Sequence, residues 1–157
     1  MAATMDPALE PVAFLLGTWR GEGKGAYPTT ESFAYLEELE FAHIGKPFIV
    51  YHQRTTHPLK GFPMHAEVGY WRPQAGSRIE IVLVHPTGIV EIEEGTVDGT
   101  TISVETIAVA KTTTAKEVTA LARTFTVEGD RMRYEVHMAA VGQPLTPHLE
   151  AELTRVA

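Results

Sequence analysis

The sequence predicts an all-β fold, a closed antiparallel β-barrel of about ten strands preceded by a short N-terminal helical segment. Short segments alternate apolar and polar residues with a period of two, and turn-forming dipeptides separate them at regular intervals. An open meander of this size would leave its first and last strands unpaired and prone to aggregation. Closing the sheet removes both edges and leaves room inside for a small ligand.

The chain begins with a predicted helical segment over residues 7–16. Asp6 can accept a hydrogen bond from a first-turn N–H, and Pro7 occupies the first helical position, where its missing N–H costs nothing. Pro11 interrupts the segment. After Gly17 the period changes from helical to two, which marks the start of the strands.

The clearest strand covers residues 131–140, where Met132, Tyr134, Val136 and Met138 alternate with mostly polar residues. Residues 79–84 alternate less cleanly, which is typical of a strand covered on both sides or near a closed edge. The other predicted strands are 18–25, 32–44, 47–56, 64–72, 89–95, 100–108, 116–127 and 148–155. Asp98-Gly99 and Gly129-Asp130 are the best hairpin connectors between them.

Length and composition limit the function classes. The 157 residues fit one domain, 1–157, and a formal net charge of −7 argues against nucleic acid as a partner. The absence of cysteine excludes disulfides, thiolate ligands and covalent c-type haem attachment. Neither a signal-peptide pattern nor an apolar run long enough for a membrane span occurs, so we expect a cytoplasmic protein with no membrane partner.

His148 is the best candidate for a metal or haem ligand. It follows Pro147, which stiffens the backbone at the start of the last strand. Strict alternation would place His148 on the polar face with Glu150 and Glu152, pointing to solvent. We therefore expect a local irregularity at Pro147, with regular pairing only after His148.

The other histidines give weaker signals. There is no H-E-x-x-H pair and no His/Asp/Glu cluster at zinc spacing, so a zinc site made only of protein ligands is not expected. His85 continues the face of Ile79, Ile81 and Leu83, which leaves two interpretations open, ligand contact in the cavity or a satisfied buried histidine. A set of acidic residues is predicted to form a solvated outer surface: Glu37, Glu38, Glu40, Glu91, Glu93 and Glu94.

An ordered series of motifs covers nearly the whole chain: Leu15-Leu16-Gly17-Thr18-Trp19-Arg20-Gly21-Glu22-Gly23, Tyr27-Pro28-Thr29, His43-Ile44-Gly45-Lys46-Pro47-Phe48, Met64-His65-Ala66-Glu67, Gly69-Tyr70-Trp71-Arg72, Pro86-Thr87-Gly88, Gly129-Asp130 and Pro144-Leu145-Thr146-Pro147-His148-Leu149. On these motifs the chain resembles the nitrobindins, haem-binding barrels related in shape to lipocalins and fatty-acid-binding proteins. The resemblance implies that His148 is the proximal iron ligand. It also implies that Met64, His65 and Met138 line the haem pocket and that Thr29 lies near the cofactor.

The resemblance leaves two details of the haem site open. His85 stands where glutamine is expected in relatives, so a second imidazole near the iron would make the coordination number five or six. Candidate partners for the haem propionates are Lys116, Arg123 and Thr29.

By resemblance, the expected function is that of a ferric, non-covalently held haem b protein that binds nitric oxide and isomerises peroxynitrite to nitrate. Its partners would be small molecules, and a homodimer is considered although the sequence shows no clear interface. The alternative is a lipocalin-like carrier of a fatty acid or other hydrophobic ligand without haem. A protein-interaction module is a third reading, for which no exposed apolar patch is predicted.

Overall fold

The computed structural model describes residues 2–157, which form a ten-stranded closed antiparallel barrel with one 3₁₀ helix. The helix, Pro7–Leu15, is followed by β1 (Gly17–Tyr27), β2 (Thr30–Ala42), β3 (Ile49–Thr56), β4 (Pro63–Gln74), β5 (Arg78–Val84), β6 (Ile89–Asp98), β7 (Thr101–Lys111), β8 (Val118–Glu128), β9 (Arg131–Ala140) and β10 (Thr146–Arg155). Each strand pairs with its neighbours in sequence, and β1 closes the barrel against β10. The predicted fold class is confirmed.

The N-terminal helix covers one end of the barrel. Asp6 Oδ1 accepts a hydrogen bond from the Ala8 N–H at 2.9 Å, as predicted, and Pro11 lies inside the helix, which is 3₁₀ throughout. The Trp19 side chain is fully buried, and its Nε1–H donates to the Leu15 carbonyl at 2.8 Å. The apolar side of the helix completes the core with Leu9, Val12 and Leu15, all without solvent exposure. No helix within residues 2–157 has the length and apolar character that a bilayer crossing requires.

The opposite end of the barrel is where the β1–β2, β3–β4, β5–β6, β7–β8 and β9–β10 connections meet. Strand pairing shifts register near this rim, including between Pro147 and Leu149 and between Thr55 and Thr56. Such bulges redirect a side chain without ending the strand. The irregularity predicted at Pro147 is therefore confirmed, and it lies at the end of the barrel where the loops gather.

An apolar patch lies on the outer face of β4, β5 and β6, where the sequence analysis expected none. Val68 pairs with Val84 and Val84 pairs with Val90, and each of these side chains is more than a third exposed. Tyr70 and Ile92 extend the patch. The expectation was wrong because apolar residues here face outward while the alternate positions of β6 carry buried glutamates.

Barrel closure depends on a close approach between β1 and β10. Gly21 pairs with Leu153, and a Cβ at Gly21 would overlap the Glu152 carbonyl oxygen, a backbone atom that cannot rotate away. Only glycine therefore permits this spacing of the two strands.

Gly21→Ala is expected to lower the free energy of unfolding by about 1–3 kcal/mol, the usual range for overpacking, because β1 and β10 must separate to admit the methyl group. Urea unfolding followed by tryptophan fluorescence measures this change. Lys24→Ala, an exposed position on the same strand, is the control and should leave the midpoint nearly unchanged. Equal stability of the two variants would show that closure tolerates a wider spacing.

Candidate functional site

An internal cavity of about 590 Å³ opens at the rim where the loops gather. Aromatic and aliphatic side chains form much of its wall, and a set of polar and charged groups lies among them. Six of the seven predicted site residues line it: Met64, His65, His85, Lys116, Met138 and His148. The seventh, Thr29, is exposed in the β1–β2 turn and is not among the lining residues. Residues far apart in the chain thus meet around one cavity.

His148 occupies the bulge at the start of β10 and lines the cavity wall. Its Nδ1 lies 3.1 Å from the Ala26 carbonyl oxygen. Because a carbonyl can only accept, Nδ1 carries the proton and Nε2 keeps its lone pair. Burial lowers the pKa of His148, although the hydrogen bond to Ala26 opposes this shift, so the imidazole is neutral near pH 7.

Two aromatic rings hold the imidazole of His148 in place. The ring of Tyr27 stands edge-on to it with 5.3 Å between centroids, and Phe33 does the same at 6.5 Å. The Tyr27 hydroxyl donates to the Met138 carbonyl at 3.0 Å and accepts from the Ala140 N–H at 2.9 Å. The end of β1 is therefore fixed to β9, and His148 has little freedom to turn.

Met64 and His65 reach the cavity from the beginning of β4. Successive residues of a regular strand point to opposite faces, but the register shift beside Thr55 lets both side chains line the wall. The Thr55 hydroxyl accepts from the His65 N–H at 2.9 Å and fixes this irregular segment. Lys116 lies exposed in the β7–β8 loop and lines the cavity.

A buried ionic cluster lies in the cavity wall, centred on Arg123. Its guanidinium binds Glu67 through two hydrogen bonds of 2.8 and 3.1 Å, and Glu91 through bonds of 3.1 and 2.8 Å. Glu93 Oε1 is 3.0 Å from Arg123 Nε, but that N–H is directed at Glu91. All four side chains are at most 6 % exposed. Arg123 is thus already paired with carboxylates, which corrects its assignment as a propionate partner.

The outer-surface assignment of the acidic residues was wrong for Glu37, Glu91 and Glu93, which are buried. In β6 the glutamates share the inward face with Ile89 and Val97, and this shared face is the signal that could have revealed them. Glu67 belongs to the Met64-His65-Ala66-Glu67 motif, from which no role for its carboxyl was predicted.

The carboxyls of the Arg123 cluster divide into two classes. Burial alone would raise all of their pKa values, but Arg123 outweighs it for Glu67 and Glu91, whose pKa values are lowered. For Glu93 burial prevails, reinforced by the neighbouring Glu91, and raises the pKa to about 10. At neutral pH the cluster therefore holds two ionised carboxylates, one neutral carboxyl and one guanidinium.

Two histidines join the acidic side of this cluster. His65 Nε2 and His85 Nδ1 are 3.2 Å apart, and Glu67 Oε2 lies 3.3 Å from His85 Nδ1 and 4.0 Å from His65 Nε2. His85 Nε2 is 2.7 Å from Glu91 Oε2. The sequence shows no His/Glu cluster at zinc spacing, but the barrel register brings one donor atom each of His65, Glu67 and His85 within 4.8 Å of the others. Burial lowers the pKa of His65.

A second polar group surrounds Glu37. Its carboxylate accepts from the Tyr134 hydroxyl at 2.6 Å and from Gln53 Nε2 at 3.0 Å, and the Tyr35 hydroxyl is 2.7 Å from that of Tyr134. Burial raises the pKa of Glu37 to about 7 against the effect of these donors, and it raises the pKa values of both tyrosines. Glu37 is thus poised to change charge near neutral pH.

Comparisons with known proteins agree on one family. The family model described as "THAP4-like, heme-binding beta-barrel domain" matches residues 8–155. The chain is 52 % identical to peroxynitrite isomerase 2 of Mycobacterium marinum over 99 % of each chain, and 48 % identical to peroxynitrite isomerase of Nocardia farcinica over 98 % of this chain and 94 % of that protein. The crystal structure of Rv2717c from M. tuberculosis superposes with a TM-score of 0.92 at 46 % identity, covering 98 % of this chain and all of that one.

Glu37→Gln should change how stability depends on pH. The folded state keeps a proton on Glu37 up to about pH 7, whereas the unfolded state loses it near 4.5, so raising the pH across this window lowers the free energy of unfolding. This contribution is on the order of 3 kcal/mol. Urea unfolding between pH 4.5 and 7.5 should show a smaller decline for Glu37→Gln than for the wild type.

The control for this experiment is Glu40→Gln, an exposed position on the same strand. It should reproduce the wild-type dependence on pH. If Glu37→Gln also follows the wild-type curve, Glu37 is ionised in the folded protein throughout the window.

Proposed function

Because the chain belongs to the family of THAP4-like haem-binding β-barrel domains, we propose that it holds a ferric haem b and isomerises peroxynitrite to nitrate, with His148 as the residue that would bind the iron. The observation that carries this proposal is the hydrogen bond from His148 Nδ1 to the Ala26 carbonyl. It leaves a neutral imidazole with a free Nε2 lone pair in the cavity wall, the form that an iron ligand requires.

The cavity suits a flat, largely apolar cofactor held without covalent bonds. Phe33, Val136, Met138 and Leu149 line the same cavity as His148, and the chain has no cysteine for a thioether link. Lys116 is exposed in the adjoining loop and can pair with a propionate there, because neither charged group would have to be removed from water.

The bound haem iron would supply a coordination position for nitric oxide and for peroxynitrite. Isomerisation leaves the atoms and charge of the anion unchanged, so the protein need provide no co-reactant. The protein itself would fix the His148 ring through Tyr27 and Ala26. Apolar side chains such as Met64 and Met138 would exclude water.

We propose that His85 does not bind the haem iron, so that His148 would be the one imidazole that holds it. His85 Nε2 is engaged by Glu91, and Nδ1 faces His65 and Glu67 at 3.2 and 3.3 Å. Turning His85 toward another partner would leave the buried carboxylate of Glu91 without this contact, which is costly.

The rival function, a carrier of fatty acids, receives less support from the cavity. A fatty-acid carboxylate needs a cation or free donors to offset its desolvation. The buried cation Arg123 is already bound to Glu67 and Glu91, and the surrounding cluster carries excess negative charge. A buried carboxylate headgroup would therefore be repelled from this region.

Two further expectations accompany the proposal. The protein would act in the cytoplasm, and it would assemble as a homodimer. The apolar patch on β4–β6 is one surface that such an assembly could cover.

His148→Ala should weaken haem binding by at least tenfold, about 1.4 kcal/mol, because the axial bond is lost while the apolar contacts remain. Titration of the haem-free protein with hemin, followed by the Soret band, measures this change. His52→Ala removes an exposed histidine on the outer face of β3 and should bind hemin as the wild type does. Equal affinities and identical ferric spectra for His148→Ala and wild type would remove His148 from the site.

The haem-loaded protein should accelerate peroxynitrite decay and raise the yield of nitrate over nitrite in stopped-flow and ion-chromatography measurements. His148→Ala should lose most of the acceleration when compared at equal bound haem, since the axial imidazole tunes the iron. Normal haem binding without any acceleration would retain the haem site and reject the isomerase activity.

A further inference from the structure

We propose that His65, Glu67 and His85 form a second metal site, separate from the His148 ligand, that binds one divalent transition-metal ion such as Zn²⁺ in the cavity wall. The three side chains line the same cavity as His148, but none of them is the proposed iron ligand and each donor atom is supplied by the barrel itself.

The three donor atoms are spaced as they would be around one metal ion. His65 Nε2, His85 Nδ1 and Glu67 Oε2 form a triangle with sides of 3.2, 3.3 and 4.0 Å. The point equidistant from all three lies about 2.1 Å from each, which is the length of zinc–nitrogen and zinc–carboxylate bonds. An ion fits between these atoms with little movement of the side chains.

Hydrogen bonds to His85 and Glu67 hold these two ligands in position. His85 Nε2 is 2.7 Å from Glu91 Oε2, so its N–H donates to the carboxylate and its Nδ1 lone pair is directed away from Glu91. This carboxylate–histidine pairing orients metal-bound imidazoles in known sites. Glu67 is in turn held by two hydrogen bonds from Arg123, and Tyr51 donates to it at 3.0 Å.

The net charge of the surrounding cluster also favours a bound cation. Two ionised carboxylates, Glu67 and Glu91, face only one guanidinium, that of Arg123, which leaves one uncompensated negative charge beside the histidines. A divalent cation would offset this charge beside carboxylates that are themselves buried.

The donor set favours a particular class of metal. Two imidazole nitrogens and one carboxylate oxygen suit Zn²⁺ and the neighbouring first-row ions, whereas Ca²⁺ and Mg²⁺ prefer all-oxygen sites. Three protein ligands leave at least one position, which the cavity can fill with water or a small anion, as in zinc sites that are open to ligands.

Equilibrium dialysis of the 157-residue chain against Zn²⁺, with and without bound haem, tests the proposal through metal quantification. The wild type should bind one Zn²⁺ per chain. His85→Gln, which keeps a polar side chain of similar reach, should lower the affinity at least tenfold. His52→Gln, at an exposed position, is the matched control and should retain wild-type affinity.

Co²⁺ provides a second readout, because coordination by imidazole produces visible ligand-field bands that His85→Gln should lose. His148→Ala should keep both Zn²⁺ binding and these bands, and circular dichroism should verify that every variant is folded. A second variant, His65→Gln, removes a different ligand of the same site, so that the test does not depend on the folding of His85→Gln alone. The proposal is overturned if the wild type binds no Zn²⁺, if both glutamine variants bind it equally well, or if His148→Ala abolishes binding.

Discussion

The pairing of β1 with β10 is the constraint on which the remainder of the structure depends, because it turns an open meander into a closed barrel with an interior. Gly21 permits the two strands to approach, and the same pairing carries the end of β1 to the bulge of β10. There the Ala26 carbonyl meets His148 Nδ1. Closure therefore creates the cavity and also sets the tautomer and direction of the imidazole that faces it.

The barrel interior contains a buried ionic cluster centred on Arg123. Removing a guanidinium and its carboxylates from water is costly, and removal of one member from such a cluster typically costs about 3–5 kcal/mol because a buried charge remains unpaired. A barrel interior filled by apolar side chains would avoid this cost. Within the cluster, Glu67 is bound by Arg123 and lies beside His85. The strand ladder fixes the surrounding wall, so these polar groups are held in one arrangement.

Sequence patterns predict the strands, the helix cap and the barrel well, because alternation and turn residues report local backbone geometry. The bulge at His148 was also predictable, since strict alternation conflicted with a ligand role. The buried Glu91 and Glu93 were missed because alternation identifies two faces without saying which one is inside, and each face of β6 carries two aliphatic residues. The approach of His65 to His85 depends on strand register, which no local pattern specifies.

The distribution of charge along the cavity explains how a protein with an acidic interior could act on an anion. Lys116 provides positive charge in the loop beside the cavity, whereas the Arg123 cluster has one excess negative charge in the wall. An anionic substrate would be repelled from the cluster and held nearer the loops, and an anionic product would leave for the same reason. A divalent ion between His65, Glu67 and His85 would reverse the net charge of the wall from −1 to about +1 and attract the same anions. Occupancy of the metal site would thus control how deeply an anion enters the barrel.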